Sequence, residues 1–252
     1  MDRLKCLAAS YALLLAVSCS KEQEQKSPPG KESPPAKTET APALTQGRGT
    51  IAGKVIFKGS YKASKLAVGK DKDVCGDGKQ DPSLLVGGAG ELKNAVVQIA
   101  GLRQGKTAGK EAVIDQVKCQ YVPHVLVVSA GSTVTIKNSD GILHNVHSLS
   151  QVNPPFNRAQ PKFMKELKEP FAKPEVIRLR CDVHGWMSGW VIVTENAYFD
   201  VTQSDGAFKL AEVPAGKYSL EVWHETLGSA TQPVELKAGE TKNVTIEFQM
   251  NK

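Results

Sequence analysis

The sequence predicts an all-β protein of the sandwich type. Three observations carry that prediction. Apolar residues alternate with polar ones in short runs, as in Ile51, Val55 and Phe57 against Lys54 and Lys58, which is the period of a half-buried strand. Turn signals separate the runs: Ala130-Gly131-Ser132, Ser139-Asp140-Gly141, Ser204-Asp205-Gly206, Pro214-Ala215-Gly216 and Ala238-Gly239. No long apolar stripe recurs at helical spacing. Two packed sheets that hide alternating faces are the economical solution for such a chain.

The first residues set the compartment. A short basic stretch with Arg3 and Lys5 precedes an apolar run from Cys6 to Val17, too short to span a bilayer as a helix. The run ends in Leu15-Ala16-Val17-Ser18-Cys19, which resembles the lipobox of bacterial lipoproteins, with Ala16 where leucine is more usual. The resemblance implies removal of residues 1–18 and lipidation of Cys19. It also implies a lipid anchor in the cell envelope, and Ser20 after the modified cysteine points to the outer membrane facing the periplasm. The other reading is an ordinary secretory signal with a cysteine nearby. Residues 19–48 then form a disordered tether, rich in Lys, Glu, Gln, Ser and Pro, with too few large apolar side chains to offset its ordering entropy. Pro28-Pro29 and Pro34-Pro35 bias it toward an extended spacer.

Charge and cysteines narrow the function classes. The net charge of +6 is spread along the chain, and no basic run is interleaved with aromatics, so nucleic-acid binding is unsupported. Cys6 leaves with the signal and Cys19 takes the lipid, which leaves Cys75, Cys119 and Cys181. In an oxidising compartment three cysteines suggest one disulfide and one thiol kept for other work. Cys75 and Cys119 sit in polar settings without a nearby histidine, so a disulfide from the loop 59–90 to Cys119 is expected, contributing about 3–4 kcal/mol in the entropic account. A second metal site there would lack ligands.

Candidate strands continue at 95–99, 124–129, 133–137, 176–181, 190–193, 207–211, 218–223 and 243–248, while 161–169 suits one short helix or a solvated loop, the loop being preferred. Ile177, Leu179 and Cys181 share one face by period two, opposite Arg178 and Arg180. The thiol therefore points inward at the end of a buried strand. His184 and Met187 follow in a glycine-containing loop at the spacing Cys-x2-His-x2-Met. Thiolate, imidazole and thioether form a soft donor set that suits copper better than magnesium or calcium. A second imidazole, His144, comes just after the turn at Asn138-Ser139-Asp140-Gly141.

Here the pattern becomes specific. Tyr121-Val-Pro123 through Gly131, Asn138-Ser-Asp140 and His144-Asn-Val-His147 resemble the first half of plastocyanin-type cupredoxins. The HNVH segment and the short ligand loop are most similar to those of amicyanins. The resemblance spans about residues 111–195 and implies a Greek-key sandwich, at 105–195, holding one copper ion that cycles between Cu(I) and Cu(II). It assigns His144 as first histidine, Cys181 as thiolate, His184 as second histidine and Met187 as weak axial ligand. Ile142-Leu143 and Gly185 stand where those families often carry proline, which bears on the redox potential. His147 is placed on the opposite face from His144 if the segment is extended. His124 is read as structural, His224 as a packing or capping residue, and Trp186 or Trp190 as a shield for the metal.

Residues 198–249 carry a Thr…Asp-Gly-x-Phe turn and Val213-Pro-x-Gly-x-Tyr218-x-Leu220, which resemble the carboxypeptidase regulatory-like (transthyretin-like) sandwich. The strands that normally precede this pattern lie far upstream, at Gly49-Thr-Ile-Ala-Gly53 and Asn94-Ala-Val-Val97. The expectation is a split domain, 49–104 plus 196–250, with the copper module inserted into it or, failing that, preceding it. The cupredoxin resemblance implies one-electron transfer to a redox partner such as a c-type cytochrome or an envelope oxidoreductase. The expected exit is the outer edge of His184, ringed by Ile142, Leu143, Gly185 and Trp186. The alternative is copper binding for storage, delivery or sensing without electron transfer. No nucleophile–base pair stands out, so an enzyme is not expected.

Overall fold

The computed structural model describes residues 47–103 and 112–250. The expected signal segment, Cys19 and the tether up to Gln46 lie outside the described residues. Strand β1 (Arg48–Lys58) buries Ile51, Val55 and Phe57 and leaves Lys54 and Lys58 exposed. Gly53 shares the inward face, and a Cβ there would lie 1.9 Å from the carbonyl oxygen of Val244, so the close neighbouring strand requires glycine. After β1 come β2 (Lys65–Ala67), the single helical turn α1 (Lys72–Cys75), β3 (Gly78–Gln80), which pairs with β2, and β4 (Val96–Ile99).

Nine strands form the middle of the chain: β5 (Ala112–Gln116), β6 (Tyr121–Val122), β7 (Val125–Ser129), β8 (Ser132–Asn138), β9 (His144–Ser148), β10 (Asn157–Gln160), β11 (Glu166–Phe171), β12 (Glu175–Arg180) and β13 (Ser188–Thr194). Five more end it: β14 (Phe199–Val201), β15 (Ala207–Pro214), β16 (Gly216–His224), β17 (Gly228–Leu236) and β18 (Thr241–Gln249).

Two sandwiches result. One draws on both ends of the chain, with sheet β15-β1-β18 and sheet β14-β4-β16-β17 sharing a core that includes Ile51, Val55, Ile99, Leu220 and Phe248. Strand β1 lies parallel to β18, from Thr50 opposite Thr241 to Lys58 opposite Gln249, and antiparallel to β15. The other sandwich uses contiguous strands, β10-β9-β12-β13-β7 against β11-β8-β5-β6. Its core includes Ile114, Ile136, Ile177, Leu179 and Val191, together with Cys181 and Met187.

One expectation needs correction. Residues 166–169 are strand rather than loop, since β11 pairs with β8 from Glu166 opposite Lys137 to Phe171 opposite Ser132. This is an edge strand, which explains how Pro170 and a charged outer face fit in it.

The two sandwiches join where the chain leaves and re-enters the first. The N–H of Ala197 donates to the carbonyl of Leu102 at 3.3 Å, and Arg103 Nη1 lies 3.0 Å from Glu195 Oε2. Between them pack Val96, Val125 and Ile192, with Trp190 and Trp223 edge to face at 5.2 Å. Glu225 accepts from Trp190 Nε1 at 2.8 Å and pairs with His124, giving that histidine a structural place at the join.

Candidate metal centre

Strand alternation delivers the thiol. Ile177 and Leu179 are fully buried and Cys181 is 1% exposed, while Arg178 and Arg180 face solvent. Beyond β12 the chain turns tightly: Met187 N–H donates to His184 O at 2.8 Å and Cys181 N–H to Met187 O at 3.0 Å. That closure holds Cys181, His184 and Met187 in one compact loop before β13. His144, the first residue of β9, enters from the neighbouring strand.

Three donor atoms converge. His144 Nδ1 and His184 Nδ1 are 3.0 Å apart, and Cys181 Sγ lies 3.9 and 3.7 Å from them. All three residues are buried. Met187 is buried in the same loop, 1% exposed. Two imidazoles and a thiolate form a soft donor set that could hold a single metal ion and would suit copper, and Met187 belongs to the same core cluster as Cys181.

Carboxylates hold the far side of both rings. Asp140 Oδ2 lies 2.9 Å from His144 Nε2, and Asp71 Oδ2 lies 2.9 Å from His184 Nε2. A carboxylate on Nε2–H fixes the tautomer that presents an Nδ1 lone pair inward. Asp140 is itself aimed by the backbone N–H groups of Lys118 and Cys119, the latter at 2.7 Å. These two residues occupy the left-handed region (φ 50° and 57°) at the tip of a two-residue turn closed between Val117 and Gln120. Such a turn normally recruits Asn or Gly; here the strain points two N–H groups at one carboxylate.

The charges respond accordingly. Burial opposes a charge on His144, but Asp140 and the Cys181 sulfur outweigh it and raise its pKa to about 9. Burial also opposes the Cys181 thiolate, yet hydrogen bonds from His144 and the N–H groups of Asn145, His184 and Val183 bring its pKa below the ordinary value. His184 is lowered by burial and by the charge on His144, against the pull of Asp71.

Other expected residues fall elsewhere. His147 points outward and pairs with Asp182 Oδ2 at 2.9 Å. Trp186 packs its ring 5.1 Å from that of His184, whereas Trp190 faces the join. His224 is buried and accepts from Thr226 N–H at 3.2 Å. Cys75 and Cys119 are bonded to each other, with Cα atoms 5.2 Å apart. Their sulfurs lie within 4.8 Å of a His184 nitrogen, but a bonded pair offers no thiolate.

The expected open edge of His184 is closed. The residue is 0% exposed, because Asp71 and the disulfide cover the face that was to lead outward. Of the four expected rim residues, Leu143 and Gly185 are exposed, and Ile142 and Trp186 are half-buried against the disulfide. Residue-by-residue reading does not find Asp71 or Asn145. Only Asp140 leaves a local trace, standing four residues before His144.

The contiguous module is thus an all-β, cupredoxin-like sandwich with a candidate metal cluster at one end. No family model and no curated protein matches the chain. Among solved structures it is similar to a purple cupredoxin from Nitrosopumilus maritimus, at 25% identity, covering 33% of this chain and 100% of that one with a TM-score of 0.29. It is also similar to a mutant amicyanin in its reduced Cu(I) form at pH 4, at 25% identity, covering 39% and 98% with a TM-score of 0.31. A copper-containing nitrite reductase from Thermus scotoductus SA-01 matches at 20% identity, with 45% of this chain on 26% of that chain and a TM-score of 0.32.

Proposed function

We propose that this protein is a mononuclear copper protein of cupredoxin type that passes single electrons at the cell envelope. The observation that carries the reading is the convergence of His144 Nδ1, His184 Nδ1 and Cys181 Sγ, all three residues buried, with Met187 in the same core cluster as Cys181. Bound copper would supply a one-electron Cu(I)/Cu(II) couple. The chain's own groups hold the site still: Asp140 and Asp71 orient the imidazoles, and the backbone N–H of Asn145 approaches the Cys181 sulfur at 3.5 Å. A donor set fixed in this way needs little rearrangement between charge states, which favours electron transfer over ligand exchange.

The same reading places the protein on a lipid anchor at Cys19, with a c-type cytochrome or an envelope oxidoreductase as partner. It takes the split sandwich as a carboxypeptidase regulatory-like domain that carries the copper module as an insert. Adding Cu(II) to the purified soluble fragment tests the central claim. An intense visible thiolate-to-copper band, with reversible one-electron cycling, is expected. A colourless complex would overturn the site. A coloured complex that loses its metal on reduction would favour copper storage or delivery.

A further inference from the structure

A piece of the split sandwich closes over the metal centre. Between β1 and β4 the chain forms the β2–β3 hairpin and α1, and α1 reaches the loop that carries His184. Asp71 precedes α1 in the left-handed conformation (φ 50°, ψ 39°), which Asp tolerates better than most residues. Its carbonyl accepts the N–H groups of Val74 and Cys75 at 3.1 and 2.8 Å. Its carboxylate makes no cap bond to the helical turn. It is turned instead to His184 Nε2 at 2.9 Å, with its other side facing water at 43% exposure.

The same turn is stapled from below. Cys75 ends α1 and is bonded to Cys119, whose N–H donates to Asp140, the carboxylate on His144. One disulfide therefore links the supports of both imidazoles. Val68, Val74, Ile142 and Trp186 pack around it and leave His184 without solvent contact. This arrangement brings a charged group from 113 residues away to one ring nitrogen and buries that ring.

We propose that residues 59–90 are a lid on the metal centre and that Asp71 is a positioning residue acting through His184. Closed, the lid holds the Nε2–H tautomer of His184, keeps that edge from solvent and small chelators, and sets a negative charge behind the ring. This deepens the copper reading and rests on it for the redox arm of the test. The lid retains the metal and directs exchange of electrons away from the His184 edge.

The test begins on metal-free protein, so that it does not depend on the copper reading. Diethyl pyrocarbonate labelling followed by peptide mapping compares His184 with His147, whose side chain is 26% exposed and serves as internal reference. In the wild type His184 should label far more slowly than His147. Asp71→Ala should speed His184 labelling about tenfold or more, the factor carried by the ~1.4 kcal/mol expected from a lost charge-assisted hydrogen bond. The double variant Cys75→Ser with Cys119→Ser should do the same, with His147 unchanged.

Asp71→Asn separates charge from closure, because Asn keeps both an acceptor oxygen and tolerance for the left-handed backbone. It should leave labelling slow while raising the reduction potential of the copper form by about 59 mV, a tenfold shift toward Cu(I). Wild-type labelling in Asp71→Ala, or an unchanged potential in Asp71→Asn, would overturn the positioning role. Absence of the thiolate-to-copper band in the wild type would sink the copper reading instead, and the labelling result would still decide the lid.

Discussion

The backbone N–H of Asp182 donates to Oδ1 of Asn145 at 2.6 Å, tying the residue after Cys181 to the residue after His144. Asn145 also accepts from Val183 N–H at 3.3 Å, donates to Asn157 and Asp182, and is 6% exposed. Its own carbonyl accepts the Tyr121 hydroxyl at 2.8 Å. One side chain thus sutures β9 to the ligand loop. Asn145→Ala should lower stability by about 2–4 kcal/mol, because it strands buried donors as well as removing bonds. Urea unfolding of the metal-free protein measures this; a loss under ~0.5 kcal/mol would show that the suture is dispensable.

Cys181→Ser should abolish the visible thiolate-to-copper band and leave the far-ultraviolet circular dichroism unchanged. Among the described residues Cys181 is the one free cysteine, and its sulfur faces both imidazoles. A serine variant that kept its colour would show that the assigned sulfur is the wrong one.

Met187→Leu should retain copper and raise the reduction potential by about 59 mV or more, since a weak axial thioether favours the oxidised ion. The swap nearly conserves volume, so its stability change should stay below ~1.5 kcal/mol. An unaltered potential would reduce Met187 to core filling.

His224 supplies a pH signature in the other sandwich. Burial, with a smaller push from His124 and against Glu225 and the Lys93 carbonyl, lowers its pKa from 6.5 to about 4. The unfolded chain then binds the proton first, so stability is full above 6.5 and falls as pH drops from there to about 4. The loss should amount to about 2–3 kcal/mol. His224→Gln should flatten that part of the stability profile, and an identical slope in both proteins would contradict the assignment.

Glu175 carries the opposite kind of clamp. Burial works against its charge, but hydrogen bonds from Gln151, Ser150 and Asn153 outweigh it and bring the carboxyl to about 2, from an ordinary 4.5. Stability from this group is present above 4.5 and is lost as pH falls toward about 2. Glu175→Gln should remove about 1–2 kcal/mol at neutral pH, discounting for solvent screening, and nothing near the folded value. Denaturant midpoints at the two pH extremes check it, and equal effects at both would argue for a purely steric role.

The sequence makes some of this legible and hides the rest for physical reasons. Alternation at Ile177, Leu179 and Cys181 exposes both the strand and the direction of the thiol, because burial on one face leaves a period of two. Strand β11 is hidden because Lys165, Glu166, Lys168 and Pro170 suit a loop equally well, and only its register with β8 makes it a strand. The turn at Lys118 and Cys119 has neither Gly nor Asn to announce it, since tertiary bonds to Asp140 and the disulfide stabilise it. Asp71 leaves no local mark at all. Its role exists only once segments 113 residues apart in sequence have met, and no window along the chain spans that distance.

The nested connectivity also favours one order of assembly over others. Strand β1 finds its parallel neighbour β18 across almost the whole described chain, with Thr50 beside Thr241. Parallel pairing over such a span is slow, because the closure must be made before any contact rewards it. The middle strands β5–β13 are contiguous and can condense on their own contacts. In the folded protein Ala197 N and Leu102 O stand 3.3 Å apart, so the insert spans its two ends as a short hairpin would. Halving a loop saves only about 0.6 kcal/mol, so the benefit lies in timing more than in stability. The inner module acts as a built-in template for its host, and the host answers by returning one of its own loops to cover the module's open end.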